Sequence, residues 1–133
     1  MTYGYNNRSA MLRLPQSRFA IENRAADMCM NPYLSLGMSA AAMTEGIVNN
    51  YDAGNPLNQD LYSMSEDEIE RSGAQQLPRN LLEALEILRT DDLARSVLGD
   101  DIMKSYLTYK SDEWERYHQA ITDWEVNEYL RLY

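Results

Sequence analysis

The dipeptide Asn31-Pro32 divides the chain into two parts with different folding requirements. Asn often caps a helix, and Pro suits the first helical position but has no N–H to donate to a sheet. Before this point, Gly4, Asn6 and Asn7 predict a turn, and a strand is predicted at about residues 8–14, where Pro15 ends it. After it, helix signals recur. The pattern predicts an α+β fold, with N-terminal strands followed by a mostly helical C-terminal region.

The first predicted helix runs from Tyr33 to about Val48 and is apolar or small on nearly every side. A helix of this composition is expected to be buried against other structure. Residues 49–64 are rich in Asn, Asp, Gly and Pro and predict a loop. Ser65 with Glu68 matches a capping box, which predicts a short helix over about residues 66–71.

Three further helices are predicted after a linker at residues 73–79. Asn80 begins the first, Thr90-Asp91-Asp92 begins the second, and Gly99 should end that second helix. A capping box at Thr122 interrupts the third, so this helix is expected to break and restart there. Apolar residues at three-, four- and seven-residue spacing predict one buried stripe along the last part of the chain: Met103, Leu107, Trp114, Tyr117, Ile121 and Trp124.

Arginine is concentrated in the N-terminal part, although the whole chain has 12 Lys and Arg against 21 Asp and Glu and a net charge of -9. Guanidinium groups suit the planar, bidentate recognition of phosphate or carboxylate. A carboxylate among them is a hard oxygen ligand of the kind that Mg²⁺ or Mn²⁺ prefers. Together these groups are typical of a phosphoryl-transfer site. The residues concerned are Arg8, Arg13, Arg18, Glu22 and Arg24.

The spacing from Phe19 to Arg24 predicts an extended strand, in which residues two apart share a face. Glu22 and Arg24 would then lie on one face, about 7 Å apart, with Phe19 and Ile21 on the other. The alternative is a surface strand with an ordinary Glu–Arg pair, which contributes little to stability. The functional interpretation requires the side chains of Arg8, Arg13, Glu22 and Arg24 to converge on one hollow.

The net charge, the lengths of the apolar runs and the cysteine and histidine content argue against several classes of function. The acidic balance argues against a nucleic-acid partner and against docking on an anionic membrane. No apolar run reaches the roughly 18 residues of a membrane span, and no signal peptide is recognised at the N-terminus. A single cysteine, Cys29, excludes an intrachain disulfide and fits a reducing compartment, so a cytoplasmic location is expected. Cys29 and the single histidine, His118, lack partners at catalytic or ligand spacing and favour structural or surface roles.

Four short motifs of the N-terminal part resemble, in the same order, motifs of the glutamine synthetase family that read NRSA, RIP, IExR and NPYL. They are Asn7-Arg8-Ser9-Ala10, Arg13-Leu14-Pro15, Ile21-Glu22-Asn23-Arg24 and Asn31-Pro32-Tyr33-Leu34. The resemblance continues through residues 58–62, 80–85 and 122–125. It covers residues 1–133 and implies the C-terminal portion of a glutamine synthetase catalytic domain, whose strands belong to a larger sheet.

The resemblance implies an ATP-dependent glutamate–ammonia ligase that forms glutamine through γ-glutamyl phosphate with Mg²⁺ or Mn²⁺. By match to the motifs, Arg8 contacts the transferring phosphoryl group and Arg24 stabilises charge on the acyl phosphate. Arg13 contacts nucleotide phosphates, and Glu22 binds the metal. Arg18 is the candidate to replace a nucleotide-binding arginine that the family commonly has where this chain has Ala20.

The family's other metal ligands, its glutamate-binding loop and its small N-terminal domain have no counterpart in this sequence. The chain alone is therefore expected to be inactive and to need the missing N-terminal part of the same enzyme; family members also form homo-oligomeric rings. Departures from the common motifs leave open a γ-glutamyl ligase that uses methylamine or another amine. A third alternative is a non-catalytic helical assembly module derived from the family.

Overall fold

The computed structural model describes residues 2–130 and 132 of the chain. It divides between Leu77 and Pro78, inside the predicted linker, into two compact units. The first unit contains three short strands and two helices, and the second is helical. Among the described residues, no helix combines the length and the apolar character that a membrane span requires.

The strands of the first unit form one sheet in the order β1-β2-β3. Strand β1 (Tyr3–Tyr5) pairs in parallel with β2 (Leu12–Leu14), and β2 pairs antiparallel with β3 (Glu22–Asn23). The turn predicted from Gly4, Asn6 and Asn7 is wrong at Gly4, which lies within β1, but Asn6 forms a bend directly after β1 with a left-handed φ of 52°.

Both predicted strands are shorter than expected. Of residues 8–14 only the last three pair in the sheet, because Asn7 and Ser9 bond to a distant loop instead of continuing the strand. Of the strand predicted from Phe19 to Arg24, only Glu22–Asn23 is a strand. Phe19 lies in the bend that follows the turn after Pro15, Ala20 and Ile21 are irregular, and Arg24 begins the turn after β3.

Helix α1 (Pro32–Val48) begins as the sequence predicts. The Asn31 side-chain oxygen accepts hydrogen bonds from the Tyr33 and Leu34 N–H groups at 3.0 and 3.3 Å, which satisfies two of the free donors at the helix start. The predicted burial is wrong, since no residue of α1 is buried. Leu34 and Met38 are only half-buried, and Leu36 and Ile47 are 69% and 79% exposed, because the described residues do not form a complete second layer over this helix.

A loop follows α1 as predicted and contains a single 3₁₀ turn at Leu61–Ser63. Helix α2 (Glu66–Arg71) then has the predicted bounds and the predicted capping box. The backbone N–H of Ser65 donates to the Glu68 carboxylate at 2.8 Å, and this bond lowers the pKa of Glu68. Local capping thus accounts for a helix of only six residues.

The second unit contains α3 (Leu81–Arg89), α4 (Asp92–Gln119) and α5 (Asp123–Tyr129). Their predicted starts are confirmed, because the side chains of Asn80, Asp91 and Thr122 each accept from a backbone N–H of the first turn. Gly99 interrupts α4 with a left-handed φ of 73°, at the residue where a helix end was predicted.

The core of the second unit lies where α3 packs on α4, and its buried side chains are Leu85, Ala94 and Met103. The predicted stripe is confirmed at Met103 but is wrong at its far end, where Ile121 is 81% exposed. Length explains this difference. Nine residues of α3 span roughly 14 Å, about half the length of α4 after Gly99, so α3 covers only part of the stripe.

Candidate functional site

The β2–β3 ladder brings Arg13 directly opposite Glu22. In an antiparallel pair, directly opposed residues have neighbouring side chains on one face of the sheet. Arg13 Nη1 accordingly lies 2.8 Å from Glu22 Oε2, and Arg18 Nη2, from the preceding turn, lies 2.8 Å from Glu22 Oε1. The three residues form one cluster in which a single carboxylate holds two guanidinium groups.

Hydrogen bonds from the two arginines keep the Glu22 carboxylate of this cluster negatively charged. Donation by Arg13, and then by Arg18, lowers the pKa of Glu22, so the carboxylate stays ionised. The Arg13 and Glu22 side chains are 18% and 27% exposed, whereas Arg18 is 64% exposed. Arg13 Nε is buried and has no hydrogen-bond partner among the described residues. The cluster carries a net charge of +1 and holds Arg13 in one orientation.

A second pair of arginines lies elsewhere in the first unit. Arg8 and Arg24 both line a cavity of about 370 Å³, whose walls also include Ser9, Leu61 and Tyr62. Arg24 reaches this cavity because its N–H donates to the Met11 carbonyl at 2.8 Å, one step beyond the paired residues of β3. Two arginine residues at one concave surface make it suited to an anion such as phosphate or carboxylate, which guanidinium groups bind.

Asn7 holds the segment that carries Arg8, a role that the sequence analysis missed. Its Nδ2 donates to the carbonyls of Leu57 and Gln59 at 2.7 and 2.8 Å. Its Oδ1 accepts from the N–H and the hydroxyl of Ser9 at 2.9 and 2.7 Å. The only signal in the sequence was the position of Asn7, next to an arginine in a motif-like segment; its partners in the loop, Leu57 and Gln59, lie 50 and 52 residues away.

The loop at residues 57–61 runs along the outer side of β1. The N–H of Leu57 donates to the Tyr3 carbonyl at 2.8 Å, and the N–H of Tyr5 donates to Asn58 Oδ1 at 2.8 Å. A Cβ atom on Gly4 would collide with the Leu57 carbonyl and would come within 2.8 Å of the Asn7 Cβ. Glycine at this position is therefore what allows the loop to approach β1 closely.

The predicted site residues thus fall into two groups, so the prediction that all four principal side chains converge on one hollow is wrong for this arrangement. Arg8 and Arg24 share the cavity, while Arg13, Arg18 and Glu22 form the ion-paired cluster and are not among the residues that line that cavity. Glu22 and Arg24 were expected on one strand face, but Arg24 follows the last residue of β3. Cys29 is exposed, and His118, also exposed, stacks on Trp114 with ring centroids 4.5 Å apart.

A divalent metal does not fit these residues by themselves. In the described ranges, 2–130 and 132, no three His, Cys, Asp or Glu side chains come close enough to hold one. Both carboxylate oxygens of Glu22 are already bonded to guanidinium groups. One carboxylate rarely holds Mg²⁺ without further ligands, so these residues would need additional oxygen ligands to bind it.

Comparison with known proteins identifies relatives along nearly the whole chain. The model of the glutamine synthetase catalytic domain matches residues 1–129. The chain is 40% identical over 131 residues to a glutamate–methylamine ligase of Methyloversatilis universalis, and 36% identical over 133 residues to a glutamine synthetase of Methanocaldococcus jannaschii. Each alignment covers 98% of this chain but only 29% of the relative.

A solved structure has the same fold. A chain described as a GmaS/ADP complex superposes with a TM-score of 0.83 at 36% identity, and the match covers 98% of this chain and 29% of that one. The fold class predicted from the sequence, strands followed by a mostly helical region as in a partial catalytic domain, is confirmed by this match. The chain spans about 29% of the length of the relatives described.

Proposed function

The chain belongs to the glutamine synthetase family, and we propose that it supplies phosphate-binding residues to an ATP-dependent glutamate–ammonia ligase. The observation that carries the proposal is the shared cavity of Arg8 and Arg24. In such a ligase ATP phosphorylates the glutamate side chain, and ammonia then displaces phosphate from γ-glutamyl phosphate. Residues 1–133 would form the C-terminal portion of the catalytic domain in this protein.

Arg8 and Arg24 would act on the group that is transferred. Charge builds up on phosphoryl and acyl-phosphate oxygens during the reaction, and fixed guanidinium groups stabilise it without reorganising. We assign Arg8 to the transferring phosphoryl group and Arg24 to the acyl-phosphate side. The exposure of both arginines at one concave surface supports this assignment, because a ligand has access to them.

Arg13 and Arg18 would bind the nucleotide phosphates. The hydrogen bonds to Glu22 support this assignment, because they already orient both arginine side chains. Each side chain then loses less conformational entropy when it binds an anion. The related structure is described as an ADP complex, which favours a nucleotide over other polyanions. Glu22 remains a proposed Mg²⁺ or Mn²⁺ ligand only together with ligands from outside the described residues.

A second candidate function differs in the acceptor. The 40% identity to a glutamate–methylamine ligase favours a γ-glutamyl ligase that uses methylamine or another small amine. The arginine pairs described here bind phosphate in either case, so they do not distinguish the two acceptors. Joining this chain to the upstream part of either relative and comparing ammonia with methylamine as substrate would separate them.

The first test is anion binding by the chain as it stands. Tripolyphosphate titration by calorimetry should show binding that Arg8→Ala and Arg24→Ala each weaken about tenfold or more, since a charged hydrogen bond contributes roughly 1.5–3 kcal/mol. Arg116→Ala is the matched control, because Arg116 is exposed and pairs with Asp112 in the second unit. Equal affinity of all four proteins would refute the phosphate-binding assignment and leave a non-catalytic module as the better account.

The second test is catalysis. The chain alone is expected to form no glutamine, because one carboxylate cluster and two arginine pairs do not make a complete metal-dependent site. Addition of an upstream portion from a relative should restore ATP-dependent product formation, and Arg24→Ala should abolish the restored activity. Turnover by the isolated chain at the rate of a complete enzyme would contradict the proposal that an upstream portion supplies part of the catalytic site.

A further inference from the structure

We infer that Asn7 is a positioning residue, which fixes Arg8 against the loop at residues 57–61 before any ligand binds. The inference rests on the proposed function of Arg8 and goes beyond it, since it identifies what holds the phosphate-binding wall in place. Asn7 itself is 8% exposed and does not line the cavity. It therefore acts through its neighbours and does not touch the ligand.

The hydrogen bonds of Asn7 use its whole amide group. Both N–H donors of a side-chain amide and both acceptor positions of its oxygen are occupied, by Leu57, Gln59 and Ser9. A buried polar group that is fully satisfied favours one arrangement, because any other leaves donors or acceptors without partners. Asn7 thus specifies the distance between the turn that carries Arg8 and the loop.

The same hydrogen bonds fix the backbone on both sides of Arg8. Asn7 precedes it, and Ser9 follows it; the Ser9 hydroxyl donates to Asn7 Oδ1 at 2.7 Å and accepts from the Leu61 N–H at 2.9 Å. Leu61 and Ser9 both line the cavity with Arg8. One hydrogen-bonded unit therefore holds the arginine and the facing segment of the cavity wall together.

Preorganisation of this kind matters for an exposed arginine. The Arg8 guanidinium has no ion-pair partner among the described residues, so its position depends on the backbone that carries it and on packing in the cavity. A fixed backbone reduces the ordering that ligand binding must complete, which raises affinity without a new contact. Loss of Asn7 should therefore weaken phosphate binding although no ligand contact is removed.

The first experiment needs no ligand. Nuclear magnetic relaxation of backbone ¹⁵N in the free chain should show lower order at Arg8 and Ser9 in Asn7→Ala than in the parent. Asn58→Ala is the control, because it removes a hydrogen bond of 2.8 Å between the same loop and β1 while keeping the Asn7 contacts. Unchanged order at Arg8 in Asn7→Ala, or an equal loss in Asn58→Ala, would overturn the inference.

The second experiment is a double-mutant cycle on tripolyphosphate affinity. Asn7→Ala should weaken binding about tenfold, and Arg8→Ala made in the Asn7→Ala background should add little, because Asn7 acts through Arg8. Additive losses would mean that Asn7 has a general structural role, and they would overturn the inference. If Asn7→Ala does not fold, Ser9→Ala carries the ¹⁵N relaxation experiment on the free chain, since it removes the hydroxyl that joins Asn7 to Leu61 and no ligand is present; unchanged order at Arg8 would then overturn the inference.

The two proposals fail in different ways. If Arg8→Ala and Arg24→Ala leave tripolyphosphate affinity unchanged, the proposed function fails, while ¹⁵N relaxation in the free chain still decides whether Asn7 orders Arg8. If both arginine variants weaken binding but Asn7→Ala does not, the proposed function stands and the positioning role of Asn7 fails.

Discussion

Replacement of Leu85 by Ala should remove most of the stability of the second unit. Leu85 is 2% exposed and, with Met103, is one of the two largest fully buried side chains among the described residues. The change deletes three carbons at roughly 0.8 kcal/mol each, about 2.4 kcal/mol of transfer free energy. The unfilled space adds a cavity contribution, which brings the expected cost to roughly 3–5 kcal/mol.

Urea unfolding followed by helical circular dichroism measures this cost. With a denaturant slope of about 1–1.5 kcal/mol per molar, the unfolding midpoint of the second unit should fall by roughly 2–5 M. Leu85→Met keeps the buried volume and should cost less than about 1.5 kcal/mol, so it remains measurable if the Ala variant is unfolded in water.

Ile87→Ala is the control on the same helix, because Ile87 is 57% exposed. It loses little buried area and leaves no cavity, so its cost should stay below about 1 kcal/mol. If Leu85→Ala and Ile87→Ala shift the midpoint equally, the packing of α3 on α4 is not what stabilises this unit, and the assignment of its core is refuted.

Two further predictions concern the first unit. Gly4→Ala should lower the free energy of unfolding of the first unit by about 1–3 kcal/mol in urea titration, because the new Cβ displaces the Leu57 carbonyl. Gly37→Ala is the control, since Gly37 lies in the open interior of α1 and its replacement should be neutral or stabilising. A Gly4→Ala variant as stable as the parent would contradict the close approach of the loop to β1. The Glu22 carboxyl, titrated by ¹³C nuclear magnetic resonance, should have a midpoint below the ordinary glutamate value, and Arg13→Gln should move it back up. Because the folded-state pKa is lowered, the stability from this pair is present above the ordinary pKa and is lost as pH falls through the lowered one; a midpoint that Arg13→Gln leaves in place would refute the pairing.

The helix starts were predictable because capping is a local interaction. Asn31, Ser65, Asn80 and Thr122 each interact with a backbone or side-chain group within three residues, so the sequence contains both partners side by side. Gly99 was predictable for a related reason, since a left-handed φ favours glycine wherever it occurs. None of these features depends on the rest of the fold.

The site was predictable in its residue types but not in its grouping. Four arginines and a carboxylate indicated anion chemistry, and motif order indicated the family. The sequence placed Glu22 with Arg24, whereas the β2–β3 register pairs Glu22 with Arg13. A one-dimensional spacing rule assumes that the strand continues, and here β3 ends at Asn23.

Composition and local spacing therefore determined most of the helices, their caps and the fold class. Tertiary structure alone decided which arginines share a cavity, which side chains of the helices are buried, and that Asn7 holds Arg8 to a loop 50 residues away. The physical reason is the separation along the sequence between the interacting groups. A cap closes within one helical turn, while the Asn7 hydrogen bonds form only after the chain has brought distant segments together.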